Sequence, residues 1–146
     1  MTTRRIDAVV IGASAGGIDA LLNLLVGLPQ TRRLPIVAEV FAPRLSIPVC
    51  EAEDKRPLAP GTLHFAPPGY HLSIERDRCF SLSCEPPVLF SRPSIDVLMN
   101  SAADAYQGAL AGLLLTGANE DGARGMAHIH SLGGFTAVQD PLEAHV

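Results

Sequence analysis

Short apolar runs alternate along this chain with stretches in which apolar residues recur at helical spacing. The first run, residues 6–11, is nearly continuous and rich in Val and Ile, which is typical of a strand buried on both faces of a parallel sheet. Six small residues follow, and apolar positions in residues 18–25 are then spaced as on one face of a helix. A buried strand leading into an amphipathic helix predicts an α/β fold with a parallel sheet.

Later runs predict the other strands. Buried parallel strands are predicted at residues 34–37, 47–51, 109–115 and 135–138. Three shorter runs are separated by turn residues and predict a small antiparallel meander, at residues 62–66, 71–75 and 79–83.

Two further helices are predicted in the second half of the chain. Ser94 has the position of an N-cap for a helix that runs to about Ala105. A later helix carries Met126 and Ile129 and ends at a Gly-Gly pair, residues 133–134. His71 falls in a short strand, where a histidine is more often a structural hydrogen-bonding residue than a ligand or a base.

Composition narrows the class of protein. With 146 residues and 47% hydrophobic content, the chain fits one globular domain. A net charge of −4 with 11 Lys and Arg argues against a nucleic-acid surface. Cys50, Cys79 and Cys84 lack metal-ligand spacing and are interpreted as buried thiols in a reducing compartment. No run has the length of a membrane span or the form of a signal peptide, so a cytoplasmic protein that is not embedded in a membrane is expected.

The turn after the first strand carries candidate chemistry. Residues 12–16 read Gly-Ala-Ser-Ala-Gly, which fits the G-x-S-x-G pattern of a serine nucleophile at a strand-to-helix turn. The helix that follows Ser14 would direct free N–H groups and its positive dipole end at an oxyanion forming there.

Two other interpretations of this turn stay open. Ser14 could simply cap the helix, because serine is favoured at that position. The glycine-rich loop could also bind a nucleotide, although no Lys-Ser or Lys-Thr follows the glycines and Ser14 stands where G-x-G-x-x-G needs its second glycine.

Asp121 follows another buried strand and is the second candidate. It could be the N-cap of the helix that it precedes. Because the carboxyl ends of parallel strands meet at one edge of a sheet, Asp121 could instead lie near Ser14 and orient a histidine that serves the serine. We expect residues 6–11, 36–37 and 113–115 to be neighbouring parallel strands, with Ser14 and Asp121 at one edge of the sheet.

The passage from Val37 to Ala38 departs from the usual connection between a strand and a helix. Residues 38–42 have a helical pattern, yet no turn residue separates them from the preceding strand, whereas a β-to-α connection needs a turn and usually a cap.

Five motifs in order resemble the methylesterase domain of bacterial chemotaxis, the CheB family. They are Ile-Gly-Ala-Ser-Ala-Gly-Gly at residues 11–17, Leu-Ala-Pro-Gly at 58–61, Ala-Pro at 66–67 with His-Leu at 71–72, Arg-Pro-Ser-Ile-Asp-Val-Leu at 92–98, and Leu-Thr-Gly at 115–117 with Asp-Gly-Ala at 121–123. The resemblance covers essentially the whole chain. It implies a doubly wound, mainly parallel, Rossmann-like sheet and a serine hydrolase that needs no cofactor or metal. The implied reaction demethylates glutamate γ-methyl esters on the cytoplasmic helices of chemoreceptors, releases methanol, and in some members extends to glutamine deamidation.

The resemblance also assigns roles to residues. Ser14 matches the family's nucleophile and Asp121 its triad aspartate, and the backbone N–H groups of Ala15 and Ala118 match the donors that stabilise the oxyanion. The triad histidine, which follows the second strand in the family, has no counterpart where Val37 meets Ala38.

Other departures concern the extent of the domain. No receiver domain precedes Met1, and the chain stops at Val146 where the family continues. One methylesterase-like domain over residues 1–146, without the family's C-terminal end, is therefore expected, governed in trans or constitutively active.

Two hypotheses follow from the missing histidine. In the first, the protein has a mobile loop with a histidine between Val37 and Ala38 that this sequence omits, which predicts a gap far wider than the ~3.8 Å between consecutive Cα atoms. Alternatively, a true deletion leaves a folded, catalytically inactive module that binds receptor helices. Continuous backbone between the two residues would favour the second hypothesis.

Overall fold

A computed structural model describes residues 5–13, 35–38, 49–89, 91–115 and 120–139. Within these ranges the strands are β1 (Ala8–Ala13), β2 (Ile36–Ala38), β3 (Val49–Glu51), β4 (Leu63–Phe65), β5 (His71–Ile74), β6 (Phe80–Ser83), β7 (Leu110–Leu115) and β8 (Phe135–Val138). The helices are α1 (Ile95–Tyr106) and α2 (Ala123–Ser131). Neither described helix combines the length and apolar character that a membrane crossing requires.

Six of these strands form one parallel sheet in the order β3-β4-β2-β1-β7-β8. β1 lies between β2 and β7, and Ile11 pairs with Ala38 on one side and with Leu113 on the other. The prediction that these three runs are neighbouring parallel strands is confirmed. The predicted mainly parallel α/β fold with a small antiparallel hairpin is confirmed as well.

The order in which the strands are added to the sheet reverses at β1. The strands that follow along the chain lie first on the β2 side and later on the β7 side. A crevice forms at the carboxyl ends of the strands where the order of an open α/β sheet reverses. Ala13 and Leu115 are paired at those carboxyl ends, so the last residues of β1 and β7 lie side by side.

The antiparallel region is smaller than the predicted meander. Among the described strands only β5 and β6 pair in an antiparallel manner, whereas β4 belongs to the parallel sheet, between β2 and β3. Leu63 is fully buried there, and the turn through Pro67, Pro68 and Gly69 then carries the chain out of the sheet. The sequence of β4 has the same pattern as those of β5 and β6, a short run bounded by turn residues. That pattern therefore did not indicate whether a strand joins the parallel sheet or the antiparallel hairpin.

The backbone is continuous at Val37 and Ala38. Both residues belong to β2, where Val37 pairs with Val10 and His64, and Ala38 pairs with Ile11. The wide gap predicted between them is therefore wrong. Ala38 is also not the first residue of a helix, because pairing on both sides extends the strand through it; residues 39–42 of the predicted helix lie outside the described residues.

The cysteines do not match the expectation of buried thiols. Cys50 and Cys84 are exposed, and Cys79 is partly buried. Cys50 lies on β3, the edge strand of the sheet, and Cys84 directly follows β6, so neither position faces the core.

Helix α1 lies unusually close to β1 and α2. A Cβ atom added to Gly12 in β1 would collide with the Ile95 side chain of α1. A Cβ atom on Gly125 of α2 would lie 2.5 Å from Cβ of Met99. Because only glycine allows these approaches, Gly12 and Gly125 fix the start of α1 against the end of β1 and against α2.

Candidate active site

Helix α1 begins at a capped N-terminus, as predicted. Ser94 is the N-cap residue in an extended conformation, and its Oγ accepts a hydrogen bond from the backbone N–H of Val97 at 3.4 Å. Ser94 is fully buried. The first turn of α1 therefore points its remaining free N–H groups into the protein interior, where they need acceptors.

Asp121 supplies those acceptors. Its Oδ1 accepts hydrogen bonds from Oγ of Ser94 at 2.8 Å and from the N–H of Asp96 at 2.9 Å. Its Oδ2 accepts one from the N–H of Ile95 at 2.8 Å. The carboxylate is 4% exposed and lies at the positive end of the α1 dipole, which favours a negative charge there.

The interpretation of Asp121 as the N-cap of its own helix is wrong. The N-cap of α2 is Gly122, in a left-handed conformation and without a side-chain cap. Asp121 instead caps the neighbouring helix α1, whose N-terminus reaches it because Ile95 packs against Gly12 and approaches Gly122.

Asp96, which the sequence interpretation did not single out, caps α2 in return. Its Oδ1 accepts hydrogen bonds from the N–H of Gly122 at 3.0 Å and from the N–H of Gly125 at 2.8 Å. Asp96 is buried. An Asp in the first turn of a helix is ordinary, so the only available signal was that a glycine, which cannot cap with a side chain, precedes α2.

The carboxylate of Asp121 lies near the carboxyl end of β1. Gly12 contacts Ile95, and the N–H of Ile95 donates to Asp121. Ser14 is the second residue after Gly12, but Ser14, Ala15 and Ala118 lie outside the described residues, so their predicted roles stay predictions.

None of the four histidines in the described part of the chain contacts Asp121 through a hydrogen bond. Nε2 of His64 accepts from the N–H of Ala59 at 3.0 Å, and its Nδ1 lies 3.3 Å from Sγ of Cys50. His128 contacts Asp104 near the far end of α1, and His130 is exposed on α2.

His71 is structural, in agreement with the prediction that it is not the base. Its Nδ1 accepts from the N–H of Ser94 at 3.2 Å, so the proton lies on Nε2, which donates to the carbonyl of Pro86 at 2.9 Å. The ring is 2% exposed. His71 thereby holds the same residue whose hydroxyl reaches Asp121.

The pKa values of two side chains on β3 and β4, at the edge of the sheet far from β7, are shifted from their ordinary values. Burial lowers the pKa of His64. Partial desolvation of the largely exposed Cys50 thiol, and secondarily the charge of Glu53, raises the pKa of this thiol. A neutral imidazole beside a protonated thiol is not an activated nucleophile, so this pair does not form a second reactive site.

The described residues thus define an α/β protein whose buried carboxylate lies at the switch point of a parallel sheet, beside the strand in which the Gly-x-Ser-x-Gly sequence begins. The family model of the CheB methylesterase matches residues 9–146. The chain therefore belongs to the CheB methylesterase family, whose members are carboxylic ester hydrolases.

Individual relatives agree with this assignment. A protein of Leptospira interrogans, named as a candidate protein-glutamate methylesterase/protein-glutamine glutaminase, is 43% identical over 96% of this chain and 79% of its own length. The protein-glutamate methylesterase/protein-glutamine glutaminase of Trichodesmium erythraeum is 38% identical over 96% of this chain and 44% of its own length. The crystal structure of the CheB methylesterase catalytic domain of Thermotoga maritima matches with a TM-score of 0.86 at 27% identity, covering 97% of this chain and 83% of that one.

The relatives contain residues that this chain lacks. The alignment with the Leptospira protein runs over 153 positions and that with the Trichodesmium protein over 157, whereas the whole chain has 146 residues. Each relative therefore carries residues without a counterpart here, which accords with a deletion somewhere within the aligned region.

Proposed function

We propose that this chain is a serine-dependent protein-glutamate methylesterase that removes methyl groups from glutamate side chains of chemoreceptor-type proteins in the cytoplasm and releases methanol. The observation that carries the proposal is the Asp121 carboxylate. It is buried, held by three donors of α1 and close to the end of β1. Deamidation of glutamine is the corresponding reaction on an amide.

In this mechanism the Ser14 hydroxyl attacks the ester carbonyl. A histidine takes the hydroxyl proton, and the tetrahedral oxyanion is stabilised by the backbone N–H groups of Ala15 and Ala118. The same histidine protonates the departing methanol, and water then hydrolyses the acyl-enzyme. Asp121 holds the imidazole in the required tautomer, a role for which a carboxylate fixed by Ser94 and two backbone donors is well suited.

The origin of the histidine distinguishes this proposal from a second candidate. In the CheB family the resemblance puts it after the second strand, where Val37 and Ala38 are consecutive in β2. That continuity leads to the second candidate, a catalytically inactive module that binds receptor helices.

Methanol release tests the proposal. A chemoreceptor cytoplasmic fragment with methylated glutamates is incubated with the chain, with Ser14→Ala, and with Ser81→Ala as a matched control in the β5–β6 hairpin. The esterase proposal expects release by the parent chain and by Ser81→Ala, and none by Ser14→Ala.

Absence of release from the parent chain, accompanied by binding of the fragment, would establish the inactive module instead. Grafting the additional residues of the Leptospira protein into the segment after β2 would then be expected to start methanol release. A chimera that folds and stays inactive would exclude a lost loop as the cause.

A further inference from the structure

A groove opens between α1, the start of α2 and the turn that precedes α1. Its volume is about 400 Å³. Its lining includes Val88, Leu89, Glu120 and Arg124. Asp96 also lines the groove, and through its bonds to Gly122 and Gly125 it ties the groove to the segment that holds Asp121.

One wall of the groove is an apolar turn held out into solvent. Val88 and Ser91 form an antiparallel bridge in which each backbone N–H donates to the other residue's carbonyl, at 3.0 and 2.9 Å. Leu89 has a φ of 48°, a conformation that is unfavourable for a side chain larger than glycine. Val88 and Leu89 are 37% and 47% exposed. Strained backbone and exposed apolar side chains both mark sites of ligand or protein binding. This turn is therefore a candidate contact surface for a molecule bound in the groove.

The opposite wall carries an unpaired cation. Arg124 is exposed and makes no ion pair or hydrogen bond with any other residue in the described ranges. Within the described ranges Arg5, Arg56 and Arg78 each pair with a carboxylate, whereas Arg76, like Arg124, has no ion pair. The Arg124 guanidinium is therefore free to bind a carboxylate through two parallel hydrogen bonds.

Glu120 adds a negative charge to the lining of the groove. It directly precedes Asp121 in the chain, whereas Arg124 lies on α2. A glutamate methyl ester is neutral and can lie beside Glu120, whereas a free carboxylate is repelled there and attracted at Arg124.

We propose that this groove docks the protein segment that carries the methylated glutamate, with an apolar side chain against Val88 and Leu89 and a free carboxylate on Arg124. The inference rests on the proposed function, since it concerns the substrate of the same site. It identifies the occupant by charge: an amphipathic protein segment with an unmethylated acidic residue near the ester.

Equilibrium binding tests the docking without requiring catalysis. The probe is a fluorescently labelled chemoreceptor cytoplasmic fragment with methylated glutamates, and Kd is measured for the parent chain, Arg124→Glu and Arg76→Glu. Arg76 is exposed in the turn of the β5–β6 hairpin, makes no ion pair with another described residue, and does not line the groove. We expect Arg124→Glu to weaken binding at least about tenfold, the equivalent of one charge-assisted contact, and Arg76→Glu to change Kd less than about twofold.

A second variant tests the docking independently, in case Arg124→Glu does not fold. Leu89→Gly removes an apolar contact while relieving the unfavourable φ, so it should weaken binding without lowering the unfolding midpoint. Equal Kd values for Arg124→Glu and the parent chain, equal weakening by Arg76→Glu, or no binding by the parent chain would each overturn the docking.

Failure of the docking and failure of the proposed function give different results. Methanol release with an unchanged KM in Arg124→Glu would leave the esterase proposal intact and remove the docking. Binding that depends on Arg124 and Leu89 without any methanol release would retain the docking and remove the esterase.

Discussion

Asp96 and Asp121 cap each other's helices. Asp121, just before α2, accepts the first hydrogen bonds of α1, and Asp96, in the first turn of α1, accepts those of the segment that opens α2. Both carboxylates are buried. The two helix N-termini are thereby fixed to one another, and the position of the candidate triad carboxylate depends on a residue that does not belong to the triad.

Replacement of Asp121 should affect folding as well as activity. In Asp121→Ala the hydroxyl of Ser94 and the N–H groups of Ile95 and Asp96 lose a buried acceptor, at a cost on the order of 3 kcal/mol in the free energy of unfolding. Asp121→Asn keeps an acceptor and should cost less. If the proposed mechanism holds, both variants should lose about 10³–10⁴-fold in methanol release. Urea unfolding and methanol assays on the same preparations separate the two effects, and equal stability of Asp121→Ala and the parent chain would contradict the cap.

Asp96→Ala is expected to destabilise the protein by about 1–3 kcal/mol, because the N–H groups of Gly122 and Gly125 would be left without their buried acceptor. Asp104→Asn is the matched control, since Asp104 is also on α1 but is exposed and contacts only the partly exposed His128 among the described residues. Its expected effect is a few tenths of a kcal/mol. The comparison is made by chemical denaturation, and similar midpoints for the two variants would show that the reciprocal cap contributes little.

Gly125→Ala tests the close approach of α2 to α1. The new methyl group would lie 2.5 Å from Cβ of Met99, so the helices must separate, at a typical cost of about 1–3 kcal/mol. At Gly108 a Cβ atom would meet no atom closer than 3.5 Å, which makes Gly108→Ala the control. Thermal unfolding should show a lower midpoint for Gly125→Ala alone. An unchanged midpoint would mean that the interface adjusts without loss.

His64 should make stability depend on pH. Burial lowers its pKa in the folded protein, while in the unfolded chain it keeps a value near 6.5. The unfolded state then binds more protons, so the stabilisation is fully present above about pH 6.5 and is lost as the pH falls towards the lowered folded-state pKa. His64→Gln removes this titration. Unfolding free energies measured from about pH 7 down to 5 should fall more steeply for the parent chain than for the variant, and parallel curves would contradict the assignment.

Local sequence patterns predicted the positions of strands and helices well, but they predicted less well which strands and residues contact each other. β8 and the capped start of α1 were predicted to the residue, because an apolar run or a capping serine is a local signal. The place of β4 was wrong because its sequence does not specify which strand it pairs with. Asp96 was missed for the same reason: its hydrogen bonds go to residues more than 25 positions away, and only folding brings those glycines to it.

The candidate site was predicted in part. Asp121 lies at the predicted edge of the sheet, although its hydrogen bonds to α1 could not be inferred from its neighbours in the chain. At Val37 and Ala38 the missing turn residue was a real irregularity, but the interpretation as a gap was wrong, since pairing with Ile11 keeps Ala38 in the strand. The roles of Ser14, Ala15 and Ala118 stay predictions.

The close approach of Ile95 to Gly12 also bears on how sequence signatures are used. The first glycine of Gly-x-Ser-x-Gly is usually explained by the turn that presents the nucleophile, yet Gly12 lies within β1 and is needed because a neighbouring helix leaves no space for a side chain. Selection for packing alone would retain it in a descendant that had lost its chemistry. A sequence search that scores this motif would therefore retrieve inactive relatives together with active enzymes. An intact first glycine indicates that the helix packs against the strand, and it does not indicate catalytic activity.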